Sequence, residues 1–372
     1  MTSADKVRVL VNGLHAKSGG GVTYLRNILP ILARDPGLEV YLCLHQSQRD
    51  TFSREILSGV SVHIVDFKLS FWRVHVWEQT KFSSLSRQID PDVVFSPANY
   101  GPLLARNSVL LLRNALSVST VERRPAKLLY WLLVTIATSL SLLRCKRAIS
   151  VSEFASRAAA GPLVGNFIRH RMTVIPHGVD DMFTPGKPPP RREEFLLAVS
   201  DIYVQKNLLN LVLAFAEVQK TRPSLILKVA GREIDAEYSA AVKKVVADHG
   251  LEANVEFLGY QKPENLLVLY RTCLAFVFPS TVETFGNPLL EAMACGAPVV
   301  CSCTAAMPEV AGDAPEYFDP FSVPDMTAVI GRVVDDAALR ETLSNKSISR
   351  ASRYSWTQTA EKTARVLKEA AR

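Results

Sequence analysis

Short apolar runs alternate with amphipathic segments along almost the whole chain, and this alternation constrains the fold more than any other feature. The first half carries seven runs that are typical of strands, at residues 7–12, 39–44, 60–67, 93–95, 109–112, 147–151 and 173–176. Five more follow at residues 195–200, 225–230, 255–258, 274–278 and 299–301. Helical periodicity fills the segments between them. Strands that alternate with helices predict an α/β fold with parallel sheets covered on both faces.

The alternation is interrupted by a proline-rich segment at residues 182–192. Its three consecutive prolines, Pro188 to Pro190, cannot continue a helix or a central strand, so the segment is predicted to be a linker. A length of 372 residues also favours two domains over one. We therefore expect two Rossmann-like domains, at residues 1–183 and 184–355, whose parallel sheets face each other across a cleft. Ligands of such sheets bind beyond the carboxyl ends of the strands.

Charge and composition narrow the class of function. The net charge of +7 combines +9 from residues 1–183 with −2 from residues 184–372. A basic first half suits nucleic acid, acidic lipid or a phosphate-bearing substrate. Nucleic acid is the weakest of these, because no zinc-finger, RNA-binding or helix-turn-helix pattern is present. The six cysteines have no C-x-x-C spacing and the N-terminus carries no apolar signal segment, so we expect reduced thiols and a cytoplasmic protein.

The strongest site signal lies in residues 279–298, which join a predicted strand to a predicted helix. Asn287 is predicted to cap this helix, and Gly296 suits the left-handed position just past its end. A helix N-terminus gathers unpaired N–H groups and a partial positive charge, so it is a natural seat for a phosphate. Glu283 precedes the helix and Glu291 lies one turn inside it. This arrangement suits a sugar nucleotide, whose hydroxyls would meet the two carboxylates.

The whole string E-T-F-G-N-P-L-L-E-A-M-A-C-G-A-P-V-V, which begins at Glu283, resembles the E-x7-E signature of the family 4 retaining glycosyltransferases. The resemblance implies the GT-B fold and a nucleoside diphosphate sugar as co-substrate, with no cofactor. It also implies that Glu283 contacts the transferred sugar and Glu291 the ribose. The neighbouring donor-binding positions that it implies are Thr284, Phe285, Gly286 and Asn287.

Other segments match the same family at the donor side. Gly20 and Gly21 belong to a glycine run after the first strand, which resembles the loop that reaches the donor phosphates. Lys206 matches the lysine of the family's K-N pair, which binds the donor diphosphate. Relatives often carry an arginine about five residues earlier, where this chain has Asp201, so one phosphate contact is missing or comes from elsewhere. Arg232, just after a predicted strand, is a candidate substitute.

The first half departs further from the family. Arg113 and Asn114 stand where many relatives carry H-D beside the reacting sugar, so the acceptor chemistry is expected to differ. His177, in I-P-H-G-V-D, is a further acceptor-side candidate. The alternative interpretation is that its neighbourhood shapes the turn between the domains, with Gly178 supplying an unusual backbone angle.

The resemblance implies an enzyme that moves a sugar from a nucleoside diphosphate sugar to a glycan acceptor with retention of anomeric configuration. Lys206 and Glu283 are its candidate catalytic residues. No Asp-x-Asp metal motif stands out, so we expect metal-independent catalysis. In this family the final helix, here residues 356–372, crosses back to the first domain. Two alternatives stay open: a non-catalytic scaffold that binds sugar nucleotides, and a nucleotide-sugar epimerase.

An uncharged apolar stretch at residues 128–143 bears on the acceptor. Its 16 residues are too few for a comfortable membrane span, which needs about 20. It is either a buried helix or a helix that lies on a membrane surface, with basic residues at both ends meeting anionic lipid. On the second interpretation we expect peripheral binding to the inner leaflet and a lipid-linked acceptor for surface polysaccharide synthesis.

Overall fold

The computed structural model describes residues 6–16, 19–113, 124–187 and 192–372. These residues form two compact units. The first contains the described residues up to 178 except Arg124, together with 355–372; the second contains Arg124 and residues 179–354. The chain therefore changes unit five residues before the predicted boundary. Asn114 and the three consecutive prolines, Pro188 to Pro190, lie outside the described residues.

The first unit is built on one parallel sheet. Its strands are β1 (Val7–Asn12), β2 (Leu38–His45), β3 (Val60–Val65), β4 (Val93–Ser96), β5 (Ser108–Leu112), β6 (Arg147–Ser150) and β7 (Met172–Val174). They lie in the order β3-β2-β1-β4-β5-β6-β7. Strand β1 sits at the centre, where Val9 is in register with Val40 on one side and Val93 on the other. The strand order reverses between β1 and β4, and such a switch point is where ligands bind in doubly wound sheets.

Helices cover this sheet. They are α1 (Gly20–Arg34), α2 (Phe71–Thr80), α3 (Phe82–Ile89), α4 (Pro125–Arg144), α5 (Glu153–Ile168) and, from the end of the chain, α13 (Trp356–Ala371). Helix α1 continues through Pro30, although a proline removes one backbone hydrogen bond. Its buried face, which includes Leu25, Ile28 and Leu32, packs into the core and holds the helix together.

The second unit is a six-stranded parallel sheet. Its strands are β8 (Glu193–Val199), β9 (Ile226–Ala230), β10 (Val255–Gly259), β11 (Cys273–Phe278), β12 (Val299–Ser302) and β13 (Glu316–Phe318). Their order is β10-β9-β8-β11-β12-β13, with the switch point between β8 and β11. The prediction of parallel α/β units is confirmed. Strand β13 was not predicted, because three residues at a sheet edge carry too little periodicity to be recognised.

The helices of this unit are α6 (Leu208–Gln219), α7 (Ala236–Asp248), α8 (Pro263–Thr272), α9 (Asn287–Ala294), α10 (Met307–Ala311), α11 (Val323–Asp335) and α12 (Ala337–Ala351). Every residue of β11 is buried, as expected for a central parallel strand with helices on both faces. The main core lies between the sheet and α6, α7 and α11, where Phe215 and Ile330 are fully buried.

Helix α13 is held in the first unit by polar and apolar contacts. The hydroxyls of Tyr24 and Thr363 lie 3.2 Å apart, and Lys368 pairs with Asp35 at 2.7 Å. A Cβ atom at Gly178 would lie 2.0 Å from the backbone nitrogen of Trp356. The expected role of Gly178 is corrected on this point: its φ is not in the left-handed region, and the glycine is needed because the start of α13 approaches its backbone.

Candidate functional site

The loops that follow β8 and β11 lie side by side at the switch point of the second unit. Asn207, in the left-handed conformation at φ +56°, donates its side-chain amide to the carbonyl of Pro279 at 3.2 Å. The backbone N–H of Thr281 donates to the carbonyl of Gln205 at 2.9 Å. Parallel strands that are neighbours end at the same sheet edge, so residues far apart in the chain meet here. This packing brings Lys206 and Glu283 together.

Lys206 and Glu283 form a direct ion pair between the Nζ and Oε1 atoms. The lysine side chain is 10% exposed and that of the glutamate 17%. Burial alone would lower the pKa of the Lys206 ammonium, but the Glu283 carboxylate and then the Tyr203 hydroxyl outweigh it, so the pKa is raised. The Tyr203 ring also lies 5.3 Å from the ammonium. A lysine held in its charged form and mostly out of water is well suited to a phosphate.

Helix α9 begins beside this pair, and its start differs from the sequence prediction. The helix begins at Asn287, one residue earlier than predicted, and Gly286 occupies the capping position at φ +90°. The prediction that Asn287 caps the helix is wrong, because that residue already lies inside the first turn. Among the described residues no side chain caps this N-terminus. The first turn therefore retains the capacity to bind an anion.

The remaining positions of the E-x7-E segment face different surroundings. Thr284 and Asn287 are partly exposed, whereas Phe285 is 3% exposed and its ring packs edge-on against Tyr354, with centroids 5.8 Å apart. The side chain of Phe285 therefore anchors the loop, and only its backbone is left to contact a ligand. Gly296 lies just past the helix at φ +74°, as predicted.

Glu291 lies on α9 and is half-buried. Burial raises the pKa of its carboxyl to about 7; a hydrogen bond from Tyr270 opposes this shift, and the nearby charge of Asp180 adds to it. The Tyr270 hydroxyl donates to Oε2 of Glu291 at 3.1 Å, and Tyr270 itself is fully buried. The tyrosine fixes one carboxylate oxygen, so the acid is held in one orientation. This partner was not predicted from the sequence, because Tyr270 lies on a different helix from Glu291.

Arg232 and Asp201 form a third polar group at the same sheet edge, after β9 and β8. The carboxylate of Asp201 accepts from the backbone N–H, Nε and Nη2 of Arg232, at 2.9, 3.2 and 2.7 Å. Partial burial acts to raise the pKa of the Asp201 carboxyl. The hydrogen bonds from Arg232 outweigh it, so the pKa is lowered. Asp201 therefore orients the arginine that was predicted to replace a missing phosphate contact.

The candidates in the first unit fall into two groups. Gly20 and Gly21 open α1, and a Cβ at Gly21 would lie 2.4 Å from the guanidinium of Arg113. Arg113 also donates from Nη2 to the carbonyl of His15 at 3.2 Å. Burial lowers the pKa of the Arg113 guanidinium. The structure therefore brings the glycine loop and Arg113 together within one unit, an association that spacing in the sequence does not reveal.

His177 lies apart from that group. It is 5% exposed, and its ring packs between those of Tyr24 and Trp356, with centroid distances of 5.4 and 5.2 Å. These contacts place it beneath α13 in the core of the first unit. These contacts fit the alternative interpretation, a structural role, while the acceptor-side role of His177 stays a prediction.

Within the described residues, no group of three or more His, Cys, Asp or Glu side chains is arranged to hold a metal ion. The polar groups at the switch point of the second unit are instead an ammonium, a guanidinium, a helix N-terminus and three carboxylates, one of which, Asp201, pairs with the guanidinium of Arg232. Such a set can bind phosphates through its positive groups and hydroxyls through its acids.

Comparison with known protein families agrees with this chemistry. The family model for glycosyl transferases group 1 matches residues 183–350, and the model for glycosyltransferase family 4 matches residues 18–183. Together they cover almost the whole chain.

Individual relatives were found by sequence and by structure. The chain is 33% identical over 166 residues to the O-antigen chain mannosyltransferase B of Escherichia coli. The aligned residues are 44% of this chain and 42% of that protein. It spans less than half the length of the curated relatives that it matches first. The sucrose-phosphate synthase of Thermosynechococcus elongatus superposes with a TM-score of 0.80 at 17% identity, over 98% of this chain and 99% of that one. HepE of Anabaena, solved with UDP-glucose, gives a TM-score of 0.76 at 17% identity, over 97% and 99%.

Proposed function

The chain belongs to glycosyltransferase family 4, and we propose that it transfers a hexose from a nucleoside diphosphate sugar to a glycan acceptor in surface polysaccharide synthesis. The observation that carries the proposal is the buried Lys206–Glu283 pair beside the uncapped start of α9. A positive group and a helix N-terminus suit a diphosphate, and the adjacent acid suits sugar hydroxyls. The similarity to an O-antigen mannosyltransferase supports a glycan acceptor and makes GDP-mannose the first donor to test.

The hard step in this reaction is departure of the nucleoside diphosphate. Negative charge develops on the leaving phosphate as the bond to the anomeric carbon breaks. Lys206 and the α9 N-terminus are positioned before the reaction, so they stabilise that charge without reorganising. Because these positive groups belong to the protein, we propose that transfer proceeds without a metal ion. We also propose that it proceeds with retention, as the E-x7-E resemblance implies.

A transfer assay tests this proposal. The protein is incubated with GDP-mannose, UDP-glucose or UDP-galactose and a lipid-linked saccharide acceptor, with EDTA present, and the product is examined by NMR. We expect one donor to give a new glycosidic bond with the anomeric configuration of the donor. An altered sugar nucleotide without transfer would identify an epimerase. Donor binding without turnover of any of the three donors would identify a scaffold. Either result would contradict the proposal.

Glu291 is predicted to make donor binding depend on pH. If ribose hydroxyls donate to its carboxylate, binding favours the ionised form of a group whose pKa is about 7. Donor affinity should therefore rise as pH rises from 6 to 8, and binding near pH 6 should release a proton. Glu291→Gln should weaken the donor about tenfold or more at pH 8 and remove most of this pH dependence. Calorimetry at both pH values, in two buffers of different ionisation enthalpy, measures both effects.

A stability measurement provides the control for this prediction. The folded protein holds the Glu291 proton more tightly than the unfolded chain does, so this residue lowers stability as pH rises from about 4.5 to about 7. Glu291→Gln should flatten that part of the profile of Tm against pH. If donor affinity changes with pH equally in wild type and Glu291→Gln, Glu291 does not contact the donor.

Helix α4 supports a lipid-linked acceptor. By length and composition its 18-residue window Lys127–Arg144 could cross a membrane, and only 22% of the window is buried, unlike the core helix of a soluble protein. The helix is longer than the apolar stretch suggested. One face packs into the first unit through Val134 and Leu142, which are buried. The opposite face exposes a row of apolar side chains at Leu129, Leu132, Ile136, Leu140 and Leu143.

This arrangement favours a helix that lies on the membrane rather than one that spans it. The buried face belongs to the core of the first unit, with Leu142 packed among Leu110, Leu112 and Ile168. Exposed basic residues lie at the C-terminal end of the helix: Arg144 is its last residue, and Lys146 follows two residues later. A surface helix with an apolar outer face and basic ends binds anionic lipid, at about 1 kcal/mol per basic residue. We propose that the protein works at the inner face of the plasma membrane.

Vesicle co-sedimentation tests this placement. Wild type should pellet with anionic phospholipid vesicles at low salt and less at high salt. Replacing Leu132, Ile136 and Leu140 together by serine should abolish pelleting, because these side chains are 56%, 48% and 47% exposed and would enter the lipid. The matched control replaces Ile234, Val268 and Phe321 of the second unit, which are 58%, 57% and 66% exposed. Wild type left in the supernatant at both salts would contradict the proposal.

A further inference from the structure

A buried acid in the first unit was not identified from the sequence. Glu78 lies on α2, and its side chain is 0% exposed. Its Oε1 atom accepts a hydrogen bond from the side-chain amide of Asn12 and lies 3.1 Å from Nε2 of His15. Its Oε2 atom is buried and has no hydrogen-bond partner among the described residues. Burying a carboxylate with one oxygen unpaired is costly, and such groups are concentrated at functional sites.

Three aromatic rings lie together above this acid. His15, His75 and Tyr100 pack against one another, with ring centroids 4.8 to 5.7 Å apart. All three are partly exposed, unlike Glu78 below them. Rings of this kind present both an apolar surface and polar atoms, the combination found in small-molecule sites.

The cluster lies at the switch point of the sheet in the first unit. Asn12 is the last residue of β1, His15 follows it directly, and Tyr100 follows β4. These are the two neighbouring strands at which the strand order reverses. In doubly wound sheets, ligands bind at the carboxyl ends of the strands at this point. The position therefore favours a role in ligand binding for this cluster. Such a role would account for the buried Glu78 carboxylate, which on its own destabilises the fold.

Charged and titratable neighbours connect the cluster to α4. Burial raises the pKa of Tyr100; Tyr130 and then the carboxylate of Glu78 add to the shift, while Arg113 opposes it. Tyr130 lies in the first turns of α4 and is 43% exposed. The cluster is thus close to the apolar helix that we assign to the membrane surface, where the polar end of a lipid-linked glycan would be found.

The contact with Glu78 also selects one tautomer of a neutral His15 ring. A carboxylate accepts hydrogen bonds, so Nε2 of His15 carries the proton of this contact, and in the neutral ring Nδ1 is left as an acceptor. No described residue hydrogen-bonds to Nδ1 of His15. A ring held in this tautomer is suited to accept a hydrogen bond from a hydroxyl group.

We propose that His15, His75 and Tyr100 form a subsite for the terminal sugar of the acceptor, in which Nδ1 of His15 accepts a hydrogen bond from a sugar hydroxyl and buried Glu78 positions the His15 ring. The proposal rests on the proposed transfer function, because it assigns the acceptor of that reaction. Glu78 is a positioning residue, since it acts on the sugar only through His15.

Two substitutions of His15 separate this role from a structural one. His15→Gln places an amide N–H near Nε2, so it keeps the contact with Glu78 but removes the acceptor at Nδ1. His15→Asn places an oxygen near Nδ1 and gives up the contact with Glu78. We expect His15→Gln to weaken sugar binding at least tenfold and His15→Asn to weaken it less. A purely structural role predicts the reverse order.

The probes are octyl α-mannoside, octyl β-glucoside and octyl β-galactoside, titrated against the full chain by ligand-observed NMR without donor. We expect at least one to bind wild type and to lose affinity in His15→Gln. Glu78→Gln, which keeps the shape of the side chain, should weaken the same glycoside about threefold or more. His63→Gln, on the edge strand β3, is the matched control and should bind as wild type does.

Nucleotide affinity, measured by calorimetry with GDP and UDP, separates failure of this subsite from failure of the proposed function. It should be unchanged in the His15 and Glu78 variants. Equal glycoside binding in wild type, His15→Gln and Glu78→Gln would overturn the subsite, and so would the absence of binding of all three glycosides to wild type. Absence of nucleotide binding to wild type would instead overturn the donor assignment.

Discussion

Replacing Lys206 by alanine should lower kcat by about 10²–10³-fold with any donor that shares the diphosphate. The ammonium is mostly buried and kept charged by Glu283, so it acts on the leaving phosphate in surroundings where a charge is stronger than in water. Removing one preorganised group that stabilises developing charge typically has an effect of this size. Initial rates at saturating donor and acceptor measure it.

Two further variants control for this prediction. Lys206→Arg should recover only part of the activity, because a planar guanidinium cannot place its charge as an ammonium does. Lys244→Ala removes a lysine that pairs with Asp248 on the exposed face of α7, and it should behave as wild type. Unchanged turnover and unchanged nucleoside diphosphate affinity in Lys206→Ala would make this lysine a structural residue.

Replacing Glu283 by glutamine should lower kcat about 10²-fold while changing donor affinity much less. One part of the loss is the direct contact with the transferred sugar, which strengthens as charge develops on the ring. The other part acts through Lys206, because without the carboxylate the burial of the ammonium is no longer compensated and the lysine pKa falls. The rate of the variant should therefore decline at high pH earlier than that of wild type.

The coupling between the two residues is measured by a double-mutant cycle. Because Lys206 and Glu283 are in direct contact, the Lys206→Ala/Glu283→Gln double variant should lose much less activity than the product of the two single losses. Strictly multiplicative losses, or a Glu283→Gln variant with the wild-type rate, would show that the pair does not act as a unit in catalysis.

The architecture could be predicted because buried parallel strands and the helices that cover them have distinct patterns of apolar residues in the sequence. Buried strands such as β11 are continuous apolar runs, and their helices are amphipathic. Short edge strands such as β13 have too few residues to show such a pattern. The start of α9 was misplaced by one residue because Asn287 favours a capping position, whereas Gly286 adopts a positive φ there that only tertiary contacts reveal.

The site was predictable as a set of residues but not as a set of contacts. The residue string after β11 indicated Glu283 and Glu291, and the K-N pair indicated Lys206. Their partners could not be inferred, because Glu283 lies 77 residues from Lys206 and Tyr270 lies on a different helix from Glu291. The burial of Glu78 could not be predicted, since a single glutamate in a helix is usually solvent-exposed and only the folded structure shows that this one is not.

The most direct test of the donor site is thermal unfolding of wild type and Lys206→Ala in a panel of nucleoside diphosphate sugars that includes GDP-mannose and UDP-glucose. A donor present at a hundred times its Kd should stabilise wild type by about 2.7 kcal/mol. At the same concentration it should stabilise Lys206→Ala much less. Equal stabilisation of both proteins, or none by any member of the panel, would contradict a donor site built on Lys206 and Glu283.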